Sequence, residues 1–160
     1  MDIILEELTS GLPDTRQIAR LVIRLLAAML LGAIIGIQRE RTGKPAGMRT
    51  HMLVALGAAL FVLAPLEAGM NSDDLSRIIQ GLATGIGFIG GGAILKRSEE
   101  GDIQGLTTAA GIWMTAAVGV AAGLGRLGMA LISILLTLFI LAGLGKLERH
   151  ISARRAAQGQ

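Results

Sequence analysis

The sequence predicts an all-α membrane protein: a compact bundle of about five transmembrane helices, N-terminus outside and C-terminus in the cytoplasm. Three observations point there. Hydrophobic residues make up 52% of the 160 residues and charged residues only 17%, against about 25% charged in soluble domains. Five apolar runs, near 18–37, 50–66, 78–95, 106–124 and 127–144, recur along the chain. Each has about the length needed to cross a hydrocarbon core of ~30 Å. Finally, Lys and Arg collect in alternate connections, which orients the bundle. Arg39, Arg41, Lys44, Arg49, Lys96, Arg97, Lys146, Arg149, Arg154 and Arg155 fall on one side, whereas Arg16, Arg77 and Arg126 fall on the other with Glu67, Asp73 and Asp74.

The chain divides into a membrane domain, 1–147, and a basic cytoplasmic tail, 148–160. Residues 1–8 carry Asp2, Glu6 and Glu7 where a signal peptide would carry bases, and read as a short amphipathic piece at the membrane surface. In the first run, Arg16, Arg20 and Arg24 repeat every four residues and share a face. The first two can snorkel to the interface; Arg24 lies deeper and needs a partner, for which Glu67, Asp73 and Asp74 are the candidates. Gly32-x-x-x-Gly36 follows, a spacing that lets helix backbones approach closely.

The next connection, "QRERTGKPAGMR", holds Arg39, Glu40 and Arg49, with a turn at Pro45-Ala46-Gly47 and Thr50 placed to help cap the second helix. Arg49 can offer Glu40 a guanidinium fork across the loop.

The third run contains "TGIGFIGGGAILK", which fits the dinucleotide fingerprint G-x-G-x-x-G. That fingerprint needs a strand before it and a βαβ unit around it. Neither is present, so no dinucleotide is expected. Two membrane readings remain. Gly81-x-x-x-Gly85 and Gly87-x-x-x-Gly91 read as a helix-packing face, and Gly90, Gly91 and Gly92 as a break near the cytoplasmic end. Arg77, Gln80 and Thr84 share a face expected to point into the bundle as a polar stripe.

The fourth run opens with Thr107 and Thr108, either of which can cap it, and its N-terminus is a mild anion site. It also holds Trp113, placed deep enough to pack within the bundle, and Gly119-x-x-x-Gly123. Small residues on three helices point to a tight bundle, a homodimer or other homo-oligomer, or both. Topology brings Arg39, Glu40, Arg49, Thr50, Thr107, Thr108 and the Gly90–Gly92 segment to one membrane face. Such a cluster can fix helix ends, or form a small pocket or partner surface.

Three stretches in order, "GAIIGIQRERTGKPAGMRTHMLVALGAALF", "SRIIQGLATGIGFIGGGAIL" and "GLTTAAGIWMTAAVG", resemble the MgtC/SapB (YhiD-like) family over about 18–147. The resemblance implies a small multi-pass protein of the bacterial inner membrane. It also implies roles in magnesium limitation, survival inside host cells or restraint of the ATP synthase. Family members often carry a soluble C-terminal domain; this chain is read as the short form lacking it, so functions of that domain do not carry over. The family's Glu-Arg-Glu is here Gln38-Arg39-Glu40, which leaves Arg39 and Glu40 as matches. His51 stands where other members differ.

The functional readings divide in two. A regulatory or interaction role fits the small-residue faces and the lack of catalytic groups. Transport of Mg²⁺ or another small ion is the alternative. Mg²⁺ favours carboxylates and retained water, and the five apolar runs contain no Asp or Glu; Gln80, Thr84 and backbone carbonyls at Gly90–Gly92 are the oxygens available. No catalytic motif suggests an enzyme. The chain has no cysteine, and no Arg/Lys stripe with interleaved aromatics points to nucleic acid. No cofactor is expected beyond a possible Mg²⁺.

Overall fold

The computed structural model describes residues 14–96 and 103–144, with Ile3 besides. The remainder of the expected N-terminal surface segment, the bases at 97 and 146–155 and the tail at 148–160 lie outside the described residues.

From Thr15 onward, the described residues form five α-helices in succession: α1 (Thr15–Arg41), α2 (Met48–Glu67), α3 (Ser72–Gly92), α4 (Leu106–Gly123) and α5 (Leu127–Leu138). The last continues as a π-helix, Phe139–Leu144. Between α3 and α4 lies a short antiparallel ladder, β1 (Leu95–Lys96) on β2 (Ile103–Gln104). Among the described residues, α1, α2, α4 and the Leu127–Leu144 unit are long and apolar enough to cross a bilayer. Helix α3 differs. It carries Asp73, Asp74 and Arg77 in its first two turns, and six of its residues are glycine.

Local chemistry explains the helix ends. Gln17 accepts from the Asp14 N–H at 3.0 Å to open α1. At its other end the Thr42 hydroxyl meets the carbonyls of Gln38 and Arg39, both at 3.0 Å. Asn71 caps α3 by accepting from the N–H groups of Asp73 and Asp74, at 2.9 and 3.0 Å. Gly105 precedes α4 with φ +97°, a conformation that disfavours any side chain. A methyl there would also collide with the Ala93 carbonyl, so the end of α3 and the start of α4 are held together.

Helix α4 is central to the packing. It joins α1 and α5 through Leu31, Ile35, Val118, Ala121, Ala130 and Ile134. It joins α1 and α2 through Ala28, Ala55, Ala59 and Ala122, and α2 and α3 through Ala58, Ile86, Ile112 and Ala116.

Glycines set the spacing between α1, α2 and α4 in that core. A methyl on Gly32 would sit 2.5 Å from the His51 carbonyl oxygen and 2.9 Å from the Ala55 Cβ. One on Gly36 would collide with the Met48 Cα. From the other side, Gly119 abuts the Ala55 carbonyl, and a methyl on Gly123 would sit 2.7 Å from that of Ala59. The α2 backbone is thus flanked by glycines of α1 and α4.

The α3 glycines behave otherwise. Gly81, Gly85, Gly87, Gly91 and Gly92 face open space within the chain, and Gly90 alone of the six makes an ordinary contact, with Ala109. Among the described residues, nothing therefore packs on the expected α3 face. Nor does the Gly90–Gly92 run interrupt the helix; it forms the last turn, which Ala93 closes by donating to the Gly90 carbonyl at 3.0 Å. The G-x-G-x-x-G spacing lies within a helix, not at a strand-to-helix turn.

Substitutions should separate the two kinds of glycine. Gly119→Ala, which overpacks a backbone contact, should cost about 1–3 kcal/mol. Gly85→Ala should leave the monomer as stable or up to about 1 kcal/mol more so. Thermal unfolding in detergent reads both.

Candidate functional site

A buried polar seam runs between α1, α2 and α4. Arg39 lies in the last turn of α1 yet is only 4% exposed. Its Nη2 donates to the Thr108 hydroxyl at 2.6 Å, and its Nε has no partner. His51, in the first turn of α2, is fully buried; its Nδ1 lies 2.7 Å from the Thr115 hydroxyl oxygen. Thr115 also reaches the Gly111 carbonyl at 2.8 Å. One hydroxyl proton serves both contacts only if Thr115 donates to Gly111 and accepts from a protonated Nδ1. The His51 Nε2 is then a lone pair, and among the described residues it makes no hydrogen bond.

Helix geometry makes the seam continuous. Thr108 and Thr115 are seven residues apart and share a face of α4. Gly111 lies between them, where a methyl would come 3.7 Å from the His51 Cε1. Arg39 therefore holds one end of the column and His51 the other. A third orphan, the Gln38 Oε1, is buried beside Arg39 in sequence.

The expected cytoplasmic-face cluster is placed as follows. Arg39 and Thr108 meet. Glu40 is exposed and accepts from the Met48 N–H at 3.3 Å, with its side chain against Gly47. It thus ties α1 to the start of α2 through backbone, where a pair with Arg49 was expected. Arg49 and Thr107 are exposed, and Thr50 is half-buried. Between them the loop holds Ala46 at φ +58°, a left-handed conformation costing an alanine about 1–2 kcal/mol.

Three further expectations are corrected. Arg77, Gln80 and Thr84 are exposed, so the stripe faces away from the bundle, and the Thr84 hydroxyl bonds back to the Gln80 carbonyl at 3.0 Å. Arg24 takes the Gly123 carbonyl at 3.2 Å, not a loop carboxylate. It sits at the α4 C-terminus, where the helix dipole favours a cation. Trp113 is 52% exposed and lines a small groove of about 180 Å³ with Ile79, Ile86 and Ala116. A larger apolar groove, about 660 Å³, separates α2 from α3 and is walled by Gly57, Leu60, Phe61, Pro65, Gly81 and Gly85. Among the described residues no three His, Cys, Asp or Glu side chains gather into a metal site.

The profile of the MgtC family matches residues 25–150. The chain belongs to the MgtC family. It is 50% identical to Protein SrpB of Synechococcus elongatus over 79% of this chain and 75% of that protein. To the Putative magnesium transporter YhiD of Escherichia coli K12 it is 41% identical, over 77% of this chain and 60% of YhiD. To Protein MgtC of Salmonella typhimurium it is 43% identical, over 86% of this chain and 54% of that protein. The match thus spans little more than half of MgtC itself. No solved structure matches. With its apolar spanning helices, this MgtC-family chain is a multi-pass protein of the bacterial inner membrane.

His51 and Thr115 were not among the residues singled out from the sequence. The signal was there: polar residues within apolar helices, with Thr108 and Thr115 at i, i+7 around a glycine. Thr115→Val should strand the His51 Nδ1–H and lower stability by about 1–3 kcal/mol. In a His51→Leu background the same change should cost much less, a coupling readable by a double-mutant cycle of thermal unfolding.

Proposed function

We propose that the protein is a membrane-embedded regulator that acts by binding another membrane protein when magnesium is limiting. One observation carries the reading: among the described residues, α3 turns an unpartnered face outward. On that face lie Arg77, Gly81, Thr84, Gly85 and Phe88, with Phe88 87% exposed, and the apolar groove against α2 borders it. Glycines at that spacing admit a second helix at close range, and Arg77 and Gln80 add polar groups that a partner can satisfy. The link to magnesium rests on family membership and on the name of the YhiD relative. The resemblance makes the ATP synthase a candidate partner, and a second copy of this chain is the other.

The second reading, a transporter of Mg²⁺ or another small ion, is favoured by the name of YhiD, a putative magnesium transporter. The chemistry of the seam supports it less. Its groups are a guanidinium, an imidazole and two hydroxyls, and a buried cation repels Mg²⁺.

Flux and crosslinking separate the two. In liposomes the purified protein should pass no Mg²⁺, and in membranes a crosslink placed beside Gly85 should trap a partner that Gly85→Leu releases. Robust flux abolished by Gln80→Ala or Thr84→Val would defeat the regulatory reading. The basic ends of α1 and α2 are assigned to the cytoplasm; a cysteine at Asp73 should then react with an impermeant label added outside, and labelling from the cytoplasm would reverse the orientation.

A further inference from the structure

Among the described residues, Arg39 is a cation with no anion. Its side chain is buried, Nη2 meets a neutral hydroxyl, and Nε meets nothing. The adjacent carboxylate, Glu40, is exposed and engaged with the Met48 N–H. Removing a guanidinium from water without a counter-charge is costly, so a group of opposite charge beside Arg39 would offset that cost.

The surroundings select an anion independently. Thr108 is the third residue of α4, a helix of 18 residues. The N–H groups of Leu106, Thr107 and Thr108 precede the first i−4 acceptor, Gly105, whose carbonyl takes the Ala109 N–H at 2.8 Å. Gly105 has no side chain with which to cap them. The helix dipole places partial positive charge at the same point. Thr108 accepts from Arg39, which leaves its own O–H free to donate. Among the described residues, the unused groups of Arg39, Thr108 and the first turn of α4 are donors, and the unused acceptor nearest in sequence is the Gln38 Oε1.

Access is open. Leu106 is 60% exposed and Thr107 is exposed, so the helix end reaches the polar side of the bundle. Arg41, Lys44 and Arg49 are exposed on the same side and raise the local concentration of anions.

We infer that the N-terminus of α4 and the Arg39 guanidinium form a binding site for a phosphate-class oxyanion. Arg39 Nε–H, the Thr108 hydroxyl and the first-turn N–H groups of α4 supply its hydrogen bonds. The same chemistry is offered by a free phosphate and by the phosphodiester of an anionic lipid headgroup. The site stands apart from the α3 face, and its existence does not depend on the proposed partner.

The test uses the full chain in phosphatidylcholine nanodiscs, followed by thermal unfolding. Inorganic phosphate is titrated against chloride at matched ionic strength, and in a second arm phosphatidylglycerol replaces part of the lipid. A saturable rise in the midpoint with phosphate identifies a free anion as ligand. A rise with phosphatidylglycerol alone identifies a headgroup. In either case Arg39→Gln should weaken the effect by more than about tenfold and Thr108→Val by about fivefold. Arg16→Gln, at the opposite end of α1, should leave it unchanged. Thr108→Val keeps the buried charge and the side-chain volume, so it carries the test if Arg39→Gln fails to fold. No rise in either arm, or a rise equal to wild type in Thr108→Val, overturns the site.

Discussion

The closeness of α2 to its two neighbours governs the rest of the structure. Gly32 and Gly36 bring α1 onto the backbone of α2, and Gly119 and Gly123 bring α4 onto the opposite side. Ala55 is touched from both directions and is wholly buried. In lipid there is little hydrophobic gain in moving a leucine from acyl chains to protein. Close van der Waals contact and hydrogen bonds must hold the helices instead. That explains a core built mainly from alanine, glycine, valine and isoleucine.

Such closeness has a consequence for polar groups. Helices this near exclude water, so a polar side chain between them must find a protein partner or go without. Thr115 closes its own account by bonding back along α4 and across to His51. Arg24 reaches a backbone carbonyl at the end of α4, where Gly125 leaves room for its guanidinium. Arg39 and His51 each keep one polar atom unmet. Both orphans lie along one face of α4, between residues that the glycine contacts hold in place.

Much of the architecture was legible in the sequence, because the length and hydropathy of a span are local properties. Five runs became five helices, and Gly32 and Gly36 packed as their spacing suggests. The same spacing misled in α3. Gly81-x-x-x-Gly85 says that two small residues share a face, but not which neighbour that face meets. The orientation of α3 was decided by Ile86 and Gly90, which lie on its opposite side and are its buried residues. Arg24 was misread for a related reason: charges are visible in a sequence, whereas a helix-end carbonyl is not. His51 was given little weight because other family members often carry different polar residues there; its burial depends on how near α1 and α4 come, which is a tertiary property.

Helix α3 bears the largest unreturned cost. Each glycine in a helix interior is worth about 1 kcal/mol less than alanine. In α1 and α4 that cost is offset by backbone contacts no other residue permits. In α3, five of six glycines touch nothing across from them among the described residues. A helix so composed is the weakest of the five as an isolated element, and its apolar residues add little, since Phe88 and Ile89 point outward. Close approach of a second surface to the open side would return the cost in the same way that α2 returns it to α1. The face that looks unfinished in the single chain is, on this argument, the counterpart of the one that is complete inside it.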